Sequence, residues 1–563
     1  MKLRLALATG LLATAAAVPA PATAADPTMP LADVRAGMRC TSLSVVRGTT
    51  ISEFDAEVID VVRGEPSGAG PRILIRVSGP AIDATGIGPG FSGSPLICPD
   101  RNGVRRNAGA ISESVGEYGN KLALVTPIEF MLGQGPRAPR SARRAPALMR
   151  SARPIATPLT ISGLSSVVRS HVLRAAQRAR RPVLAAPSKP FTGYPVQNLR
   201  PGAAVAASLS SGDVSISAIG TVTYRDGPSV WGFGHSFEGF GRRALLLQDA
   251  YVFSVIGNPA GTDGGFTYKL AAPGHIVGAL TNDNINAIVG RVGPPPRTVA
   301  LRTTVLDTDR DRSVTVRSQA TDERELDLGS SLSLVGSIEL GEAIIGAMES
   351  SPIRMTSSMC VRIDIRERRR PLGFCNDYFD GDSPFEDLST AFVLLDAFKY
   401  GRITPVSARV RMRVRRGVEE ALMLRARAPR TVRQGQRIRI RIALRRRRGG
   451  FERLSVPYRV PLSTRPGRRT LTLRGTVPFA LLQGFEQSIE DLLGGGVGGG
   501  LADEDLVGPR SVETVARAIA GLKRRYGLRA TFSRKSHGPV ILPTRERILR
   551  GKLRLPMRVL ERP

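Results

Sequence analysis

The chain has 563 residues, 42% hydrophobic and 5% aromatic, and a formal net charge of +33. Only eight of its 81 basic residues are Lys, and Arg runs such as 445–448 and 368–370 contain no interleaved aromatics. That is the pattern of a solvated basic surface, not of cations clustered for phosphate, so nucleic acid is not expected as the main partner. The four histidines are scattered singly and no metal-ligand spacing occurs, so no metal or other cofactor is expected.

In chain order, Met1-Lys2-Leu3-Arg4, an apolar run over 5–18 and Ala22-Thr23-Ala24 have the three-part layout of a secretory signal peptide spanning residues 1–24. No later stretch reaches the roughly 20 apolar residues of a membrane span. The mature protein is therefore expected to be secreted or held in the cell envelope. In that oxidising setting Cys40, Cys98, Cys360 and Cys375 are expected to form disulfides. Of three possible connectivities, the one consistent with separate domains joins Cys40 to Cys98 and Cys360 to Cys375.

Residues 25–132 read as a small β unit. Phe54, Ala56 and Val58 alternate, and Ile73-Leu74-Ile75 forms a second strand-forming run. Residues 133–160 are mostly Arg, Ala, Pro and Ser, as expected of a linker. A helix is predicted over 162–180, with His171 on its apolar side, and leads into a second β unit over 161–300. There Val214, Ile216 and Ala218 alternate with serines, and a return strand ends in Trp231-Gly232-Phe233-Gly234-His235. Residues 301–480 read as β-sandwich strands with one wet face. Ile438, Ile440, Ile442 and Leu444 share one side, with Arg437, Arg439 and Arg441 on the other, and Val410, Met412 and Val414 repeat the design. The last region, 481–563, contains a glycine run over 494–500 and a helix capped by Ser511, continuing through Tyr526 and stopped by Gly527.

The feature richest in chemistry is Gly90-Phe91-Ser92-Gly93-Ser94-Pro95. A serine between glycines in a tight turn exposes a weakly hindered oxygen, and glycine tolerates the backbone angles that aim N–H groups at an oxyanion. Gly90 and Ser92 are the candidate donors. The partner needed is a base that titrates near neutrality, and histidine suits. His171 lies on a helix face, His537 in a polar tail, and His275 follows the turn-forming pair Pro273-Gly274. His235, on a glycine-flanked turn, is best placed.

The serine block, with Gly220-Thr221-Val222-Thr223-Tyr224 and Gly232-Phe233-Gly234-His235, resembles the SpoIVB-type serine peptidase family. The likeness extends to 54–62, 72–79, Thr126-Pro127-Ile128-Glu129 and 278–293, about half of the chain. The resemblance implies a bacterial chymotrypsin-like double β-barrel, here in permuted order because the serine block precedes the histidine block. It makes Ser92 the nucleophile and His235 the general base of a peptidase acting on a protein or peptide. Where the family pattern has an acid upstream of the serine, this chain reads Val77-Ser78-Gly79-Pro80. Asp249 is the acid chosen to back the imidazole, ahead of Asp83, Asp226 and Glu238. The rival expectation is a binding or scaffolding protein of the cell envelope that keeps the fold without turnover.

Overall fold

The computed structural model describes residues 26–562 apart from 64–69, 116–118, 136–138, 140–142, 145–152, 155–157, 187–189, 259–266, 351–354, 380–383, 448, 476–480, 495–509, 523–527, 534–539 and 543–546. The signal-peptide reading, His537 and the glycine run beyond Gly494 lie outside the described residues.

The first half contains two closed six-stranded antiparallel barrels. In the first set, β1 (Arg39–Arg47), β2 (Thr50–Arg63), β3 (Arg72–Ser78), β4 (Pro95–Pro99), β5 (Arg105–Val115) and β6 (Leu122–Pro127) pair antiparallel in the ring β1-β2-β3-β6-β5-β4, and β4 closes on β1. Phe54, Ala56 and Val58 of β2 point inward at every second position, as the pleat requires. The second set is β7 (Ala204–Ser208), β8 (Ser215–Asp226), β9 (Ser229–Gly232), β10 (Gly241–Ile256), β11 (Tyr268–Asn284) and β12 (Ala287–Val292). It closes in the ring β7-β8-β9-β12-β11-β10. Both rings follow the same order: first, second, third, sixth, fifth, fourth. Closure leaves neither barrel with an open edge.

The barrels meet through small side chains. Val45 of β1 packs on Ala204, Ala206, Ile219, Ala250, Val252 and Ala271. Gly48 and Val252 exchange both backbone hydrogen bonds, at 2.7 and 3.0 Å. The stretch expected to be a plain linker touches the first barrel twice: Arg143–Arg144 pairs with the end of β2, and Arg153–Pro154 with β5.

Behind the barrels stands a sheet whose strands include Thr298–Asp307, Met355–Ile365 and Pro405–Arg416. The helices Leu332–Met348, Pro384–Asp396, Leu481–Gly494 and Val512–Gly521 share a core with it and with the second barrel. Two further sheets follow, and Ile438, Ile440, Ile442 and Leu444 join Leu471, Leu473, Leu528 and Val559 in their common core. Strand Gly467–Gly475 pairs with Leu528–Phe532 and Lys552–Leu560, across the boundary expected at 480/481. The predicted helix over 162–180 spans Ser166–Arg178, with Ser165 as its cap. Ser511 caps the last helix, which is described over Val512–Gly521, and the end expected at Tyr526 and Gly527 lies outside the described residues.

Both expected disulfides are present. Cys40–Cys98 ties β1 to β4 where the first barrel closes, and Cys360–Cys375 joins directly opposed positions of neighbouring strands. Sequence separations of 58 and 15 residues correspond to chain-entropy stabilisations of about 4 and about 3 kcal/mol. Double replacement by Ser should lower the denaturant midpoint in both cases. The Cys40/Cys98 pair should cost more, because both of those sulfurs are also buried in the barrel core.

Candidate functional site

Ser92 lies in the connection 79–94, from the third to the fourth strand of its barrel, and His235 in the connection 233–240, the same link of the other barrel. The two links face each other across the seam. Ile111 of β5 accepts the Gly93 N–H at 2.8 Å, and a Cβ on Gly234 would lie 3.3 Å from that same carbonyl oxygen. Thr126 Oγ1 donates to the Gly234 carbonyl at 2.7 Å.

The turn owes its shape to the second barrel. The Lys269 N–H donates to Pro89 O at 2.9 Å, and the Thr221 N–H to Ser92 O at 2.8 Å. Thr221 Oγ1 donates to Gly90 O at 2.9 Å, and Thr223 Oγ1 to Gly93 O at 2.7 Å. Within the turn, Phe91 N–H bonds Gly88 O and Ser94 N–H bonds Phe91 O, both at 2.9 Å. In a trans peptide the N–H points opposite to the carbonyl of the preceding residue. Drawing the Pro89 and Phe91 carbonyls to these partners therefore turns the Gly90 and Ser92 N–H groups the other way. Neither of these two N–H groups donates a hydrogen bond among the described residues. Gly90 and Gly93 have φ of +96° and +92°, angles that glycine adopts without strain. A methyl on Gly93 would also sit 2.0 Å from Thr221 O. Phe91 fixes the turn to its own barrel, edge-on to Phe54 with centroids 6.3 Å apart.

Ser92 is fully buried, and its Oγ has no hydrogen-bond partner among the described residues, so the direct Ser92–His235 hydrogen bond expected of a triad is not formed in this conformation. The Ser94 hydroxyl supports the fold by donating to Ser44 Oγ at 3.0 Å. His235 Nδ1 lies 2.7 Å from the Ser236 carbonyl. A carbonyl only accepts, so Nδ1 carries a proton, and in the neutral ring Nε2 holds the lone pair. Phe233, two residues before it, holds φ +68° although it is bulky and fully buried, a backbone strain of the kind found at functional sites. The loop after His235 is fastened by Asp283, whose carboxylate accepts the N–H groups of Phe237, Glu238 and Gly239, each at 2.7 Å.

The expectation that Asp249 backs His235 is corrected. The Asp249 carboxylate is buried and holds His275 instead. It accepts His275 Nδ1 at 3.0 Å, the His275 N–H at 2.6 Å, the Tyr194 hydroxyl at 2.7 Å and the Gln197 N–H at 2.8 Å. Burial first, and then this carboxylate, hold the Tyr194 hydroxyl well above the usual phenol range. Gly274 permits the approach, since a Cβ there would lie 2.3 Å from Asp249 Oδ1. Six positions along β11 separate His275 from Lys269, about 20 Å of strand, which sets His275 apart from the serine turn. Of the other acids weighed, Asp83 pairs with Lys121, and Glu238 with Arg181 and Arg243. His171 pairs with Glu486.

Sequence reasoning missed Lys269. Its side chain is buried in the seam, Nζ donating to Ser44 Oγ at 2.6 Å and Thr221 Oγ1 at 3.1 Å and lying 4.5 Å from the Phe91 ring centroid. Burial pushes its pKa down to about 7. Comparison of the chain with family models, curated proteins and solved structures finds no match.

Two predictions follow from this geometry. Gly93→Ala should cost more than about 3 kcal/mol by denaturant unfolding, since backbone strain and a backbone clash add. Gly103→Ala, at φ +79° with nothing within 4 Å, should cost only about 1–2 kcal/mol. For Lys269, the unfolded chain keeps a proton between pH 7 and about 10.5 that the folded chain has lost. Stability should therefore rise with pH across that window, by up to about 1.4 kcal/mol per unit. Lys269→Met should flatten this part of the profile, measured by urea unfolding at pH 7, 8 and 9.

Proposed function

We propose that the chain is an exported serine endopeptidase of SpoIVB type, with the two barrels as a chymotrypsin-like pair in permuted order and β-sandwich modules behind them. The observation that carries this reading is the turn itself: two N–H groups without acceptors among the described residues, beside a serine, on the barrel connection that faces its histidine-bearing equivalent. In the proposed reaction His235 Nε2 takes the Ser92 proton as Oγ attacks the carbonyl of a protein or peptide substrate. The Gly90 and Ser92 N–H groups receive the oxyanion, and His235 returns the proton to the leaving amine. The Ser236 carbonyl takes the orienting role at Nδ1 that an acid fills in a full triad. Water then releases the acyl group by the same steps in reverse order.

A second reading has its own support. Ser92 is fully buried with no partner on Oγ, and the one acid–imidazole pair involving Asp249 is elsewhere. These facts favour a peptidase-fold binding or scaffolding protein without turnover.

A fluorophosphonate that reports activated serines separates the two. The wild-type chain should be labelled, Ser92→Ala should lose the label, and Ser94→Ala should keep part of it. His235→Ala should slow labelling about 10²- to 10⁴-fold, whereas His275→Ala should leave it near wild type. Equal labelling of the Ser92 variant overturns the nucleophile, loss in His275→Ala instead of His235→Ala overturns the base, and a wild-type chain that is never labelled supports the binding protein.

A further inference from the structure

We propose that Lys269 is the positioning residue of the Ser92 turn, reaching from the second barrel to fix the Gly90 peptide and with it the orientation of the oxyanion donors. Its three points of contact with the turn are separate. The backbone N–H holds Pro89 O at 2.9 Å. The aliphatic stem covers Gly90 so closely that a Cβ there would lie 2.8–3.0 Å from the Lys269 Cβ, Cγ and Cδ atoms. The amine feeds a directed relay, Lys269 Nζ–H to Thr221 Oγ1, then Thr221 O–H to Gly90 O.

The direction of the relay explains why a lysine stands where methionine would fill the same space. Thr221 has one hydroxyl proton, and the turn needs it on Gly90 O. A donor facing Thr221 Oγ1 keeps it there. Without the amine, Ser44 Oγ, 3.2 Å from Thr221 Oγ1, is left to compete for that proton. The groups facing Nζ are the Ser44 hydroxyl of β1, the Thr221 hydroxyl of β8 and the Phe91 ring of the turn. No carboxylate pairs with it among the described residues. An amine buried without a counter-charge is costly, and here its hydrogen bonds serve the turn from both barrels.

The test uses the full chain and two readouts, one of which does not depend on Ser92 being a nucleophile. The first is amide hydrogen exchange over 88–94. Lys269→Met and Thr221→Val should speed exchange of the Phe91 and Gly93 amides about tenfold or more, with the barrel strands protected as in the wild type, and Thr221→Ser should restore protection. The second rests on the proposed function: the maximal rate of fluorophosphonate labelling should fall about 10²-fold in Lys269→Met, as expected for misplaced donors, with the concentration for half-maximal rate unchanged. Wild-type exchange over 88–94 in both Lys269→Met and Thr221→Val overturns the proposal, as does loosening of the strands together with the turn. Faster exchange confined to the turn, in a chain whose wild type is never labelled, leaves Lys269 as the positioning residue and overturns the nucleophile.

Discussion

Thr221 is the contact on which the rest of the site depends. Its N–H holds Ser92 O and its hydroxyl holds Gly90 O, so one residue of the second barrel grips a turn of the first at both ends of the Phe91 peptide unit. With Thr223 on Gly93 O and the Lys269 N–H on Pro89 O, four carbonyls of the turn are bound by the other barrel. A turn in glycine-permitted angles has few ways to satisfy its own backbone. The serine-bearing half therefore acquires its geometry from the histidine-bearing half, and the site is a property of the docked pair.

Docking this close is possible only where side chains vanish. Gly93 meets Thr221 O, Gly220 meets the Phe233 ring and Ser92 O, and Gly234 meets Ala110, each at a separation that leaves no room for a Cβ without displacement. Alanines dominate the apolar part of the same seam. Small residues surrender apolar area, and the seam replaces it with buried hydroxyls: Ser44 meets Thr221 and Thr223 meets Gly93 O across it, and Ser94 donates to Ser44 within the first barrel. Ser92 is the exception in this set, buried with no partner for its Oγ among the described residues.

Much of this was legible from local chemistry. The Ser92 and His235 turns announced themselves because positive φ favours glycine, and the paired cysteines because each pair stays within one expected domain. The barrel strands were legible from alternation, though ring closure was not, since closure depends on which edges meet. Asp249 illustrates the limit. It was assigned to His235 by nearness in sequence, but irregular register between β10 and β11, where Gln248 faces Ile276 and Ala250 faces Pro273, brings it onto His275. Lys269 was illegible for a related reason: a single lysine at a strand start reads as a solvent-facing residue, and nothing local reveals that another barrel covers it.

The interactions that organise the turn also close it. Every bond that draws a carbonyl toward the second barrel pulls the turn deeper into the seam, and the Phe233 ring against Gly220 completes the cover near Ser92 O. Orientation of the Gly90 and Ser92 N–H groups and burial of Ser92 thus have one cause. The strain that could be released lies on the histidine side, where Phe233 is held at φ +68° between Gly232 and Gly234, while the turn beneath it is held by glycines at ease in their angles. A change that opened the site at Phe233 would leave the carbonyl clamps of Thr221, Thr223 and Lys269 in place, so access and donor geometry rest on separate residues of the same barrel.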